Sequence, residues 1–431
     1  MSAAALDLDE YREHVASRLP VLETVRLPLD EALGAVLAET VVTRWPIPLF
    51  DNSAMDGYAV RAADAQAGAR LRVVADVAAG SPDDPPLASG EAARIMTGAP
   101  MPSQADAVVP LEHTELGLAG ALPGSAPPAW VTITRAPLVG ANVRRAGEDA
   151  SVGDPAVVAG RELGPWQLAA IASAGHEHVV ARQMPRVAVL STGSELVAPG
   201  ADPGRGQVPE SNSVLVAAAL RAAGAAVVSA TVVPDDEDAL RVEVERTLGD
   251  ATARLDDERL GDAATALDGE RLGVDAVVLT GGAAVGAFDP VRAVLGADGS
   301  VRFDAVAMQP GRHQGFGMIG GTPVFCLPGN PVAVAVSLEL IVRPALRAMA
   351  GHARPERPRF RLPAVTGWAS PAGRTQVVPV VAEAHGVAPV AGRAGGSHRV
   401  RSLAEATAFA IVPPEVERVE AGDLVEVILC G

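Results

Sequence analysis

The stretch Pro323 to Met349 reads PVFCLPGNPVAVAVSLELIVRPALRAM. Val324 to Leu327 is a short, bounded apolar run of the kind that forms a buried strand. A tight Pro328-Gly329-Asn330 turn follows, and a long apolar helix opens at Pro331. Asn330 is a good N-cap, and Pro331 occupies the first helical position, where a missing N–H costs nothing and a fixed φ suits the helix. The loop therefore aims its backbone donors, and the positive end of the helix dipole, at one point in space. Such a point is a seat for phosphate or another anion.

The same grammar repeats upstream. Val187 to Leu190 runs into Ser191-Thr192-Gly193-Ser194-Glu195, and Glu210-Ser211-Asn212-Ser213 precedes a helix over Val214 to Ala223. Val227 to Val233 ends in Pro234-Asp235-Asp236, and Ala276 to Leu279 delivers Thr280-Gly281-Gly282, then Asp289-Pro290 into a helix. Strands alternating with helices predict a parallel sheet whose ligands lie beyond the strands' carboxyl ends. The STG, TGG and PGN loops should then meet at one edge. Carboxylates stand close by in sequence at Glu195, Asp235 and Asp289. Facing a phosphate they repel it unless a hard cation sits between, which points to Mg2+, although a scatter of surface acids gives the same pattern.

The N-terminal half has a different texture. Leu6 to Leu19 has helical spacing, and Leu29 to Ala38 reads as a second short helix. Arg44 to Val60, RWPIPLFDNSAMDGYAV, is a loop dense in Asp51, Asn52 and Asp56, open to a site role or to plain turn chemistry. From Leu71 to Val158, short β-type runs alternate with Pro/Gly turns, an all-β module. Two of its loops carry chemistry, Ile95 to Pro100 (IMTGAP) and Asn142 to Asp149 (NVRRAGED). A helix is expected over Pro165 to Ala174. LDDERLG at Leu255 to Gly261 recurs as LDGERLG at Leu267 to Gly273, a local duplication read as a surface extension. After a basic, Pro-rich linker, Arg361 to Gly431 reads as short strands, a small barrel or sandwich.

Length and composition bound the rest. A chain of 431 residues is too long for one ordinary core, and three or four domains are expected. The net charge of -17 argues against nucleic-acid binding, so anions must be handled locally. Two cysteines without paired spacing exclude a thiolate metal cluster and suggest a reducing compartment. No run of about eighteen apolar residues is present, so a cytoplasmic protein without a membrane span is expected. Walker, GxSxG and HExxH signatures are lacking, and no GxGxxG follows a strand.

PLFDNSAMDGYAV, IMTGAP, RxxGED, VLSTGSEL, VVPDD, TGG, QPG, LPGNPV and GSH occur in the order and spacing of the molybdopterin molybdenumtransferases, the MoeA proteins, to which the E domain of gephyrin is similar. The resemblance runs from about Leu8 to Val427. It implies a multi-domain α/β and β fold: an elongated N-terminal and dimerisation region (1–44 with 150–184), an inserted β-rich domain (45–149), an α/β/α molybdopterin-binding domain with a mostly parallel sheet (185–353) and a C-terminal β-barrel (354–431). It implies an enzyme that inserts molybdate into adenylylated molybdopterin with Mg2+ and releases AMP. It further implies a homodimer whose site joins the α/β domain of one subunit to the β-rich domain of the other. Protein partners would be the adenylyltransferase that supplies the substrate or the molybdoenzymes that receive the product.

Carried over by position, the resemblance assigns Asp289, Glu195, Asp56 and Asp235 to the chemistry, with Asp289 and Glu195 as metal ligands. Thr97, Asp149, Ser191, Thr192, Gly193, Gly281, Gly282, Arg312, Pro328, Gly329, Asn330, Pro331 and Ser397 would bind substrate. Asp56 and Thr97 would act from the partner subunit. The chain also departs from the family. Many members have GGVSVGEYD where this one has Gly281-Gly282-Ala283-Ala284-Val285-Gly286-Ala287-Phe288-Asp289. Two family lysines are replaced by Ala305 and Gln309, and the barrel's GRxxFxR arginine is missing from Gly373-Arg374-Thr375-Gln376-Val377-Val378-Pro379. Arg312, after Pro310-Gly311, would supply a cation to the anionic substrate that the resemblance implies, fixed in charge and differently shaped from lysine. These departures leave three alternatives, a scaffold homologue without turnover, a tungsten-inserting paralogue, or a nucleotide pyrophosphatase on the related α/β domain.

Overall fold

The computed structural model describes residues 5–121, 124–249, 273–282, 290–297, 299–390 and 400–430. Helix α1 (Leu8–Ala16) starts at a capping box, in which Asp7 accepts from Asp9 N–H at 2.8 Å and Glu10 accepts from Asp7 N–H at 3.2 Å. Its buried face, Leu8, Tyr11 and Val15, enters the same core as the central sheet.

The helix expected over Leu29 to Ala38 does not form; turns and isolated bridges take its place. Its donors go across the chain instead: Gly34 N–H to Leu163 O (2.8 Å), Leu37 N–H to Arg161 O (2.9 Å) and Ala38 N–H to Val180 O (2.8 Å). So short a segment cannot hold a helix against such partners, least of all with Gly34 inside it. Nearby, Thr24–Pro28 pairs antiparallel with His178–Arg182, and Val41–Val42 with Pro155–Val157. The chain thus leaves this region near residue 44 and returns to it near 150.

Between those points lies a five-stranded sheet: β1 (Gly57–Val60), β2 (Arg70–Val77), β3 (Glu91–Ile95), β4 (Ala107–Pro110) and β5 (Trp130–Thr132), in the order β4-β1-β3-β2-β5. Alternation places Tyr58, Val60 and Leu71 in one core and Ala59, Val77 and Ile95 in another, so both faces are covered. Helix α2 (Pro165–Ser173) follows, as the spacing predicts.

The α/β unit contains β6 (Arg186–Thr192), α3 (Asn212–Ala222), β7 (Ala226–Val233), α4 (Glu237–Leu248), β8 (Ala276–Thr280), α5 (Pro290–Gly296), β9 (Val301–Ala305), β10 (His313–Ile319), β11 (Thr322–Leu327), α6 (Pro331–Ser337) and α7 (Arg343–Met349). Strand order is β7-β6-β8-β11-β10-β9; the first four are parallel, and β10 pairs antiparallel with both β11 and β9. The central strands are apolar over Val187 to Leu190, Ala276 to Leu279 and Val324 to Leu327 because helices cover both faces: α3, α6 and α7 on one, α4 and α5 on the other. A π turn, Leu338–Val342, joins α6 to α7.

The C-terminal strands β12 (Arg359–Pro363), β13 (Thr375–Glu383), β14 (Gly386–Pro389), β15 (Ala408–Val412) and β16 (Leu424–Leu429) pair in the order β14-β13-β15-β16-β12. A bridge from Ala364 to Val387 brings β12 back to β14, so the sheet closes into a barrel. A short helix, α8 (Val400–Glu405), precedes β15. Met308–Gln309, from the α/β unit, pairs with Thr375–Gln376 of the barrel. Val377, Phe409, Ile411 and Ile428 join the central core, and α1, the α/β sheet and the barrel pack as one body. No helix among the described residues is long and apolar enough to cross a membrane.

Candidate functional site

The three strand-end loops do meet. Gly281, at the end of β8, has φ +89°, and a Cβ on it would lie 2.5 Å from Thr192 O in the loop after β6. A Cβ on Gly329, after β11, would come within 3.5 Å of Gly281 Cα. The backbones of the STG, TGG and PGN loops therefore touch at the carboxyl edge of the sheet. Asn330 caps α6 by accepting from Val332 N–H at 3.2 Å, and Asn212 at the start of α3 donates to Gly329 O at 2.7 Å. Pro328, Asn330 and Pro331 are partly exposed and Gly329 is exposed, so the helix start faces the edge.

Beneath the loops runs a buried polar network that the motif spacing did not single out. Ser191 Oγ and Thr280 Oγ1 are 2.9 Å apart, and Ser191 Oγ donates to Glu210 Oε1 at 3.3 Å. Glu210, 4% exposed, also accepts from Ser213 N–H at 2.7 Å and from the Ser213 hydroxyl. Ser191, Thr192 and Gly193 are buried, and the Ser191 hydroxyl turns inward to set the loop's shape. The sequence cue for Glu210 is its place three residues before Ser213 at a helix start.

Of the expected carboxylates, Glu195 is exposed, with no side-chain hydrogen bond among the described residues. Asp235 Oδ2 accepts from Ser194 N–H at 2.9 Å while Asp235 N–H donates to Ser194 Oγ at 2.9 Å, so the aspartate clamps the STGS loop. Asp289 and Ser397, and the duplication apart from Gly273, lie outside the described residues, as does Gly286 in the loop after Gly282. Among the described residues no cluster of three metal-ligating side chains is present.

Arg312 is exposed in the loop before β10. Its loop is pinned under α6 by Gln314, which donates to Gly311 O at 2.6 Å and to Ser337 Oγ at 2.7 Å. Arg374, in the barrel, donates to Gln309 Oε1 at 3.3 Å, so a second guanidinium stands against the QPG segment.

A separate polar corner forms in the β-rich domain. Asp56 Oδ1 accepts from Thr97 N–H and from Thr97 Oγ1, each at 2.7 Å. The next residue must be glycine, because a Cβ on Gly57 would lie 2.1 Å from Val109 O. Asp51 ties the same loop to the RRAGED turn, accepting from Arg145 Nη1 at 2.6 Å and Ala146 N–H at 2.8 Å. The Ala146 N–H, then the Arg145 guanidinium, hold the Asp51 carboxyl below the usual carboxylate range. Asp149 is exposed on that turn, its N–H donating to Ile47 O at 2.9 Å. Among the described residues, no hydrogen bond or ion pair joins this corner to the strand-end loops of the α/β sheet.

Comparison with known proteins covers nearly the whole chain. Residues 6–175 match the MoeA N-terminal region (domains I and II), 188–254 and 248–348 a probable molybdopterin binding domain, and 361–430 the MoeA C-terminal region (domain IV). The chain is 35% identical to molybdopterin molybdenumtransferase 2 of Mycobacterium tuberculosis, over 97% of this chain and 98% of that one. It is 33% identical to molybdopterin molybdenumtransferase of Haemophilus influenzae, over 82% and 80%. Among solved structures, a molybdopterin biosynthesis MoeA protein from Pyrococcus horikosii superposes with a TM-score of 0.77 at 29% identity, covering 99% of each chain. Loops that converge on a helix start at the edge of a parallel sheet, a β-rich insertion and a closing barrel are thus matched region by region, and the chain belongs to the MoeA family.

Proposed function

We propose that this protein is a molybdopterin molybdenumtransferase, which inserts molybdate into adenylylated molybdopterin and releases AMP. The observation that carries the reading is the contact of the STG, TGG and PGN backbones beside the capped start of α6. Bare backbone at a helix N-terminus is built to receive phosphate, and the adenylylated substrate carries two. The names of relatives at 33% and 35% identity support it.

In this reading Gly193, Gly281, Gly282 and Gly329 hold the pterin phosphate and pyrophosphate, and Asp235 keeps the STGS loop in place. Mg2+ would be held by Glu195, an exposed carboxylate beside the phosphate loops, with Asp289 as its expected companion. When bound, the ion would neutralise the pyrophosphate. Arg312 and Arg374 would draw molybdate towards the dithiolene, and positioning rather than a protein nucleophile would lower the barrier. Among the described residues the Asp56–Thr97 corner makes no hydrogen bond to its own strand-end loops, so it would complete the site of a partner subunit in a homodimer. A cytoplasmic setting suits such a substrate, and the adenylyltransferase or recipient molybdoenzymes would be the protein partners.

The test is to incubate the protein with adenylylated molybdopterin, Mg2+ and molybdate and follow AMP. Release that needs both the oxyanion and Mg2+, and is lost in Asp289→Ala, is the expected result. Release indifferent to oxyanion would point to a pyrophosphatase, and no release with molybdate or tungstate to a scaffold.

A further inference from the structure

A cavity of about 210 Å³ lies away from the strand-end loops, between α3, the α6 to α7 helix, α8 and the barrel. Its walls are apolar, with Leu215, Leu220, Leu338, Leu403 and Phe409 among them, and Cys430 beside them. Three charged side chains break that surface: Glu339, Arg343 and Arg357.

The charges do not cancel. Arg357 Nε donates to Glu339 Oε1 at 2.6 Å, which leaves Arg343 Nη1 at 3.9 Å from the same oxygen. Arg347, the next cation along the helix, is already paired with Glu162 at 3.0 Å. Arg343, Arg347 and Arg357 against Glu339 and Glu162 leave one positive charge over. It rests on Arg343, whose Nε and Nη1 are enclosed by protein without a hydrogen-bond acceptor, so that Nη2 is the donor left for a ligand. A buried donor left unmet costs free energy, the more so when charged. The helix that carries Glu339 widens into its π turn at Leu338–Val342, a departure from α geometry that is common where a helix serves a ligand. Burial lowers Arg343 to about 10, which leaves it charged at neutral pH.

We propose that this cavity binds a small aliphatic carboxylate, its alkyl body against the leucines and Phe409 and its carboxylate against Arg343. The apolar wall excludes a strongly hydrated ion such as free phosphate. The single uncompensated guanidinium selects a monoanion over a neutral molecule of the same shape. The site is independent of the transferase reading, since no strand-end loop residue lines it.

Cys430 reports occupancy without any cofactor. The chain has two cysteines, and Cys326 is fully buried, so alkylation of the folded protein reads Cys430. Burial pushes the Cys430 thiol up to about 11, so the reaction is slow enough to follow at mildly alkaline pH. Millimolar hexanoate should slow modification by an uncharged maleimide severalfold, hexanol should not, and Arg343→Met should abolish the protection. If Arg343→Met does not fold, Ala219→Leu, which narrows the cavity, should abolish it equally. Protection by neither probe would mean that the cavity holds water only. Equal protection by hexanol would remove the guanidinium from the site. Either result overturns the proposal.

Discussion

Asp56 and Thr97 are bound to each other through one oxygen: Asp56 Oδ1 accepts both the N–H and the hydroxyl of Thr97, each at 2.7 Å. Both residues are exposed, so the pair adds little to stability and fixes the IMTGAP loop against the MDGYA turn. Thr97→Val removes one of the two bonds and Asp56→Ala removes both. Thermal midpoints should move by no more than a degree or two for Thr97→Val, about 0.5 kcal/mol. The rate of AMP release should fall at least about tenfold for Asp56→Ala, the loss of one charge-assisted contact. Wild-type turnover in Asp56→Ala would remove this corner from the site. Mixing Asp56→Ala with Asp289→Ala subunits should restore part of the activity if two subunits share each site.

Gly281 makes the close approach of the TGG and STG loops possible. Its φ of +89° disfavours any L side chain, and a Cβ would stand 2.5 Å from Thr192 O and 2.6 Å from Thr192 Oγ1. Gly281→Ala should cost about 2 kcal/mol or more, because strain and overlap add. Gly321→Ala is the control: its φ is +87° but nothing lies within 4 Å, so strain acts alone. Urea midpoints of the two variants separate the terms. If binding of the adenylylated substrate survives in Gly281→Ala, the touching backbones do not form the phosphate seat.

How much of this was legible from residues alone depended on where each residue's partners lie. The strand, cap and helix at 323–349 are local, and Val324, Asn330 and Pro331 each report their own conformation, so the order of the α/β unit followed from them. The segment Leu29 to Ala38 has helix-compatible spacing, yet its backbone bonds to residues 161, 163 and 180, which no local pattern encodes. Likewise Glu210 looks like one more acid before a helix; only the parallel pairing of β6 with β8 brings Ser191 and Thr280 over it. Arg374 stands on the barrel, 65 residues from Gln309, and their meeting depends on the Met308–Gln309 pairing with that barrel.

His352 couples stability to acid. Its side chain is 7% exposed, and its Nδ1 lies 2.9 Å from Arg347 Nη2, a donor that the neutral ring accepts. Burial, then the Arg347 charge, lower the imidazole from 6.5 to about 4. Between those values the unfolded chain binds a proton that the folded one refuses. Stability therefore falls as pH drops from 6.5 towards 4, and the loss levels off below. At pH 5 this one group should account for about 2 kcal/mol. His352→Gln keeps an acceptor for Arg347 without the titration. The difference in urea stability between wild type and this variant should change by that amount from pH 7 to pH 5. A constant difference would mean that His352 takes up its proton without unfolding cost.

Glu210 is the residue on which the strand-end loops rest. It accepts from the Ser213 N–H, the Ser213 hydroxyl and the Ser191 hydroxyl, and Ser191 is in turn hydrogen-bonded to Thr280. Glu210→Ala strands three donors in a buried site and should cost roughly 1–3 kcal/mol of stability. Glu210→Gln keeps the volume and an acceptor for Ser213 N–H, so its cost should be smaller by half or more. The functional effect should be separable from the fold. Because Glu210 sets the shape of the STG loop without reaching out of it, the variants should raise KM for the adenylylated substrate more than they lower kcat. Gln should restore most of the thermal stability lost in Ala while restoring KM only in part, since its oxygen still accepts from Ser213 N–H and Ser191 but its amide offers the Ser213 hydroxyl a donor where the carboxylate offered an acceptor. Steady-state AMP release and calorimetry on the same preparations decide it. If KM follows stability in strict proportion across Ala, Gln and wild type, Glu210 serves the fold alone.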